Sequence, residues 1–175
     1  MHRKIISQPP DRITLTESGI PTTIALARSL YQQHGEDLLN DKTLSEMLLQ
    51  FDTNIGATQD EMTAIGMADE CSDCALHGEG TCCSERTGHK CDITLLLLNL
   101  LLGRSLPGKS QSHDQCYFLT SRGCVLRARP MICVNFVCQR LRENIPHDVI
   151  VHLQQTAGAE MDILFRVETY IKLMS

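Results

Sequence analysis

The segment CYFLTSRGCVLRARPMICVNFVC, running from Cys116 to Cys138, decides how the rest of the chain is read. Two short apolar runs that each begin with cysteine, Cys116-Tyr-Phe-Leu-Thr and Cys124-Val-Leu-Arg, flank Ser121-Arg122-Gly123. Strand-forming residues on both sides of a glycine-containing connection predict a hairpin, with Gly123 free to take positive φ. Cys116 and Cys124 then occupy matching places on the two strands. Pro130 predicts the first turn of a helix through about Arg142, with Ile132, Phe136, Val137 and Leu141 as its core candidates. On such a helix Cys133 and Cys138 stand about 140° apart. They share a centre only if the helix is distorted or begins between them. Otherwise one ligates and the other packs, and for Cys138 a ligand and a buried core thiol are equal readings.

Outward from this segment the patterning is helical. Pro21 suits a first helical turn, Ile24, Ala27, Leu30 and Tyr31 follow at helical spacing, and Gly35 predicts a stop. Thr43-Leu-Ser-Glu46 and Thr58-Gln-Asp-Glu61 read as capping boxes. The first introduces the stripe Leu44, Met47, Leu48 and Phe51, and the second a helix through about Ala68. Residues 71–91, rich in Gly, Ser, Asp and His, predict a loop. Asp92 or Thr94 is expected to start a buried leucine-rich helix and Gly103 to end it. Residues 103–114, with Pro107-Gly108, predict a polar connection. Pro146 is expected to begin the last helix, kinked or split at Gly158, with Ile163, Leu164, Val167, Tyr170, Ile171 and Met174 on its apolar face. The expected fold is mainly α, a helical domain with a small β-hairpin and a cysteine-rich loop region. One domain over 1–175 is expected, comprising an extended arm at 1–20, N-terminal helices at 21–70, a cysteine-rich region at 71–138 and a C-terminal helix at 146–175.

Composition narrows the function. The chain has 175 residues, 42% of them hydrophobic and 21% charged, which is a globular balance. A net charge of −5 argues against a nucleic-acid partner, because phosphate binding usually requires a basic surface. Arg122, Arg127, Arg129, Arg140 and Arg142 crowd one stretch, but an ordinary solvated face explains them. The basic start, Met1 to Lys4, leads into Pro9-Pro10 where an apolar export signal would continue. The run Ile93 to Leu102 is far shorter than the roughly 20 residues of a spanning helix. A cytoplasmic protein with no membrane partner is expected.

That compartment gives the nine cysteines their meaning. Cys71, Cys74, Cys82, Cys83, Cys91, Cys116, Cys124, Cys133 and Cys138 all lie between residues 71 and 138. Disulfides do not persist in reducing conditions, and cysteines used merely as small hydrophobes would scatter along the chain. Clustering with an internal Cys71-Ser-Asp-Cys74 favours metal ligation. Soft thiolates suit both structural zinc and iron–sulfur clusters. Adjacent side chains such as Cys82 and Cys83 tend to diverge, so the pair serves two metals, two irons of one cluster, or one metal with one thiol to spare.

In order, Cys71-x2-Cys74, Cys82-Cys83, Cys116-Tyr-Phe-Leu119, Cys124-Val-Leu126, Arg129-Pro130-x2-Cys133 and Phe136-x-Cys138 resemble the CxxCxxCC family. Its members are described as zinc- or iron-chelating, or as iron–sulfur-cluster proteins. The resemblance covers residues 71–138. It implies Cys71, Cys74, Cys82, Cys83, Cys116, Cys124, Cys133 and Cys138 as metal ligands and leaves Cys91 without a place. It also implies a 4Fe-4S cluster or zinc as cofactor. The chain departs from the family in the seven residues Ala75–Thr81, where two or three are usual. His77, His89 and His113 offer nitrogen ligands, although solvent-exposed histidines are the simpler reading where sulfur already suffices. Arg129 is expected beside the thiolates, offsetting their charge. The leading expectation is a metal-binding module without catalysis. The alternatives are an iron–sulfur enzyme related to the flagellin lysine methylases, which resemble the same cysteine motif, or a thiol redox protein using Cys71 and Cys74. No GxSxG, HExxH, phosphate-cradling or dinucleotide-binding glycine motif supports other chemistry.

Overall fold

The computed structural model describes residues 19–77, 82–111 and 114–174. The extended arm expected at residues 1–20 therefore falls almost wholly outside the described residues. In chain order the elements are α1 (Ile20–Asn40), α2 (Lys42–Ala64), α3 (Met67–His77), α4 (Glu85–Gly88), α5 (Ile93–Leu101), β1 (Leu119–Thr120), β2 (Gly123–Cys124), α6 (Met131–Asn135), α7 (Gln139–Asn144) and α8 (His147–Met174). This is a mainly α architecture with one small antiparallel hairpin.

The long helices make the frame. Helix α2 packs along α8, and α1 packs against α5, whose Leu95, Leu96, Leu97, Leu98 and Leu101 are buried. Apolar residues from several sides surround α5, which is why its sequence shows no polar face. The expected stripes face this core: Ile24 and Ala27 from α1, Leu44, Leu48 and Phe51 from α2, and Ile163, Leu164, Val167 and Ile171 from α8. A second, smaller apolar cluster joins Met62 and Met67 to Val137, Leu141, Ile145, Ile150 and Leu153. The cysteine-rich segments lie where these two clusters meet.

Local signals account for the ends of some helices and not others. Asp92 caps α5 by accepting from the Leu95 amide at 2.8 Å, and Gly103, at φ 74°, follows its last turn. Gly35 does not stop α1, which continues to Asn40. A Cβ there would lie 2.9 Å from the Tyr31 ring, so glycine serves close packing rather than termination. The first capping box is displaced. Asp41 caps α2 instead, accepting from the Leu44 amide at 2.7 Å. Nor does Thr58 open a new helix. It is buried inside α2 with its hydroxyl donating to the Asn54 carbonyl at 3.1 Å. The break comes later, at Gly66 with φ 73°, and α8 passes through Gly158 without splitting.

Candidate metal centre

Helix α3 carries the first two cysteines. The expected loop over residues 71–91 is helical at its start, so Cys71 and Cys74 stand one turn apart on one face. The positive φ of Gly66 turns the chain out of α2, and buried Met67 seats the start of α3 in the smaller core. Asp69 and Glu70 suit the positive end of its dipole.

The next pair is held by backbone bonds. The Cys116 amide donates to the Cys83 carbonyl at 2.8 Å, Ser84 bridges Gln115, and Thr87 donates to the Cys82 carbonyl at 2.7 Å. Gln115 donates to the Ala75 carbonyl at 2.7 Å, which ties this segment to α3. Gly88 lets the chain pass behind Cys116, because a Cβ there would meet Ile20 at 2.9 Å and the Tyr117 nitrogen at 3.3 Å. The hairpin forms as expected, with Gly123 at φ 95°, but it is shorter. Cys124 pairs with Leu119, while Cys116 precedes the strand in a turn closed by the Leu119 amide at 2.9 Å.

Beyond the hairpin, buried polar groups position the chain. Asn99, enclosed within α5, donates to the Ala128 carbonyl and accepts from the amides of Arg127 and Ala128. Arg127 grips α2 through the Asp52 carboxylate at 2.7 Å, the Asp52 carbonyl at 2.9 Å and the Gln59 side chain at 2.6 Å. The helix expected over residues 130–142 is broken into α6 and α7. Phe136 is extended at ψ 119°, and Cys138 at ψ 168° is the N-cap residue of α7. This distortion frees Cys133 and Cys138 from the 140° separation. It also leaves Ile132 and Phe136 half exposed, against expectation, while Val137 and Leu141 are buried as expected. Arg140 holds α7 to α3 through ion pairs with Glu70 at 2.7 Å and Asp73 at 3.2 Å.

Cys71, Cys74, Cys82, Cys83, Cys116, Cys124, Cys133 and Cys138 all line one cavity of about 320 Å³. Met62, Met67, Leu119 and Leu141 supply apolar wall, and Arg129 and Arg140 are the cations at its edge. Cys91 is buried and does not line it. A wider cleft of about 550 Å³ adjoins, sharing Cys71, Cys83, Cys124 and Arg129. His89 is exposed and lines neither space. His113 and the side chain of His77 lie outside the described residues.

The thiols are electrostatically crowded. Burial, then the neighbouring Cys82, Cys138 and Cys74, push Cys71 up to about 11. Burial and the thiols of Cys82, Cys133, Cys116 and Cys124 push Cys83 up to about 12. Cys133 rises to about 11 through burial, Cys124 and Cys116. Cys82, Cys116 and Cys124 are raised chiefly by burial. Cys124 opens onto the cavity, yet protein surrounds it on its other sides. Arg129 opposes the rise at Cys71, Cys124 and Cys133, as a cation close to all three must. Its Nε is buried without a hydrogen-bond partner, and its Nη2 lies 4.0 Å from the Met62 sulfur.

Among the described residues, no three His, Cys, Asp or Glu side chains stand close enough together to hold one metal ion in the arrangement seen. The thiols ring the cavity instead of converging on a point. A metal ion would draw them inward, and a cluster would span the space between them. The donor set suits such a group, being sulfur throughout, with enclosed apolar walls and a guanidinium at hand. The residues around the cavity that sequence reasoning missed are Met62, Met67 and Glu70 in its lining and Gly88 behind Cys116. Only Gly88 left a trace, as a glycine among polar residues. No protein-family model, curated protein or solved structure matches the chain.

Proposed function

We propose that this protein is a metal-binding module whose clustered thiolates hold an iron–sulfur cluster or zinc. One observation carries the reading. Eight of the nine cysteines, drawn from helices, turns and a strand far apart in sequence, border a single cavity, and the ninth does not. Cysteines placed as small hydrophobes would be distributed through both apolar clusters without regard to a common space. The ligand set is Cys71, Cys74, Cys82, Cys83, Cys116, Cys124, Cys133 and Cys138, the set that the resemblance to the CxxCxxCC family implies. The spread of the thiols around about 320 Å³ favours a polynuclear centre, because one tetrahedral zinc with sulfur at about 2.3 Å leaves no interior space to fill. Such a site belongs in the reducing cytoplasm, where thiols persist. Among the described residues no helix is long and apolar enough to cross a membrane. No catalytic group is assigned, and the partner proposed is the metal or cluster itself.

The test is metal and acid-labile sulfide content, with a visible spectrum, on anaerobically purified protein. Brown protein with iron and matching sulfide supports the cluster. Colourless protein with stoichiometric zinc supports the structural ion. Protein that takes up neither metal refutes the reading.

A further inference from the structure

We infer that the wider cleft beside the thiol cavity binds a small organic anion, whose carboxylate or phosphate group is held by Arg122 with Arg129. The cleft is built from cations and donors of its own, so its ligand does not depend on metal in the neighbouring cavity.

Five arginines crowd residues 122–142, and the structure divides them by what they bond. Arg127 holds Asp52 and Gln59, Arg140 holds Glu70 and Asp73, and Arg142 donates to the Val137 carbonyl at 3.0 Å. The guanidinium groups of the other two lack such acceptors. That of Arg122 has no partner among the described residues, and only its backbone amide is bonded. That of Arg129 has the Met62 sulfur at 4.0 Å, a weak acceptor, and its Nε is buried unpaired. Both arginines line the same cleft of about 550 Å³.

The rest of the lining suits an anion. Among the described residues no Asp or Glu borders the cleft, although the chain as a whole carries a net charge of −5. Gln59 is a further donor, because Arg127 occupies its carboxamide oxygen at 2.6 Å and leaves the amide nitrogen free. The hairpin turn that carries Arg122 is pinned by Thr120, whose hydroxyl donates to the Gly123 carbonyl at 2.8 Å and accepts from the Arg122 amide at 3.2 Å. A fixed turn presents the guanidinium at a lower entropy cost than a loose one. The planar fork of a guanidinium matches the paired oxygens of a carboxylate or phosphate. Leu119 and Leu126 add apolar wall for a carbon skeleton, and the volume falls within the range of small-molecule sites. Arg129 lines the thiol cavity as well, so its charge is shared, whereas Arg122 borders the cleft alone.

The experiment measures binding of phenyl phosphate, inorganic phosphate and benzoate by calorimetry, at constant ionic strength in chloride, to anaerobically purified full-length protein. Saturable binding of one anion per chain is expected, with phenyl phosphate tighter than inorganic phosphate because its ring meets the apolar wall. Benzoate binding without phosphate binding, or the reverse, identifies the head group and supports the site. Arg122→Ala should weaken binding about tenfold or more, the loss of a charged hydrogen bond. The Arg122 side chain is exposed and supports no other residue, so the variant should keep its helical circular dichroism. Arg104→Ala, at an exposed arginine that lines neither space, should bind as the wild type does. No saturable binding of any of the three anions below about 10 mM, or equal binding by wild type and Arg122→Ala, would overturn the site. Metal content of the same samples keeps the two readings apart. Anion binding by protein that takes up no metal spares the cleft and refutes the metal module, and metal uptake without anion binding does the opposite.

Discussion

Asn99 is the polar residue whose loss should cost most. It is fully enclosed in α5 and satisfies three backbone groups of the segment that leads to Arg129 and Cys133. The Ala128 carbonyl accepts from its Nδ2 at 2.9 Å, and the Arg127 and Ala128 amides donate to its Oδ1 at 2.7 and 3.1 Å. Asn99→Leu keeps the branching and heavy-atom count of the side chain and leaves no void, so the cost reads on lost hydrogen bonds, with the bulkier methyls adding to it. Each buried backbone group left unpaired costs about 1–3 kcal/mol. Three at the low end give a loss of about 3 kcal/mol, a large part of the roughly 5–15 kcal/mol that holds a domain folded. The assay is urea unfolding of the metal-free protein. With an m-value of about 1–3 kcal/mol/M, the midpoint should fall by about 1–3 M without a change in slope. The metal-loaded variant should also retain its metal less well, because Arg129 and Cys133 lie on the loosened segment. A stability loss below about 1 kcal/mol would refute the claim that Asn99 holds this segment in place.

Three further outcomes are expected. Arg129→Ala should weaken metal retention about 10–100-fold in chelator competition, with Arg129→Lys recovering part of the loss, and equal retention in the alanine variant would refute the charge-offsetting role. Cys91→Ala should leave metal content unchanged and lower stability by about 1 kcal/mol through lost packing, whereas a loss of metal would make Cys91 a ligand. The raised thiols have two pH consequences. Cys71 and Cys83 are protonated at neutral pH without metal, so zinc binding releases protons and tightens as pH rises, measurable by calorimetry in buffers of different ionisation heat. In the metal-free protein the folded state keeps protons that the unfolded chain loses above the ordinary thiol value of 9.0. Stability from these groups is therefore complete below about pH 9 and declines as pH rises toward 11 to 12. A flat unfolding midpoint across that range would contradict the buried placement.

Much of the frame is legible from residue patterns because helices and turns answer to local chemistry. The stripes of α1, α2 and α8, the Asp92 cap, the Gly103 end and the Gly123 turn each depend on neighbours within a few residues. Where the patterns misled, a distant contact had outweighed them. Gly35 sits beneath the Tyr31 ring, so α1 continues, and Thr58 is buried against other helices, so the box that begins with it starts nothing. The helix expected from Pro130 breaks because Val137 and Leu141 turn into the smaller core while Arg140 reaches α3. Nothing in residues 130–142 alone announces those partners.

The cysteines divide along the same line. The clustering of the cysteines and the resemblance of their order from Cys71 to Cys138 to the CxxCxxCC pattern select eight residues and leave Cys91 apart, because that pattern is one of residue type and spacing. Tertiary structure alone decided that those eight border one space, that Cys116 lies before its strand, and that Cys133 and Cys138 end on different helices. It also brought Arg129 to Cys71, Cys124 and Cys133. Those positions depend on α3, the hairpin and α7 packing together across stretches of chain too long for local preference to span. Burial of the two apolar clusters, the bonds made by Asn99, Arg127 and Gln115, and the Arg140 ion pairs bring them into register.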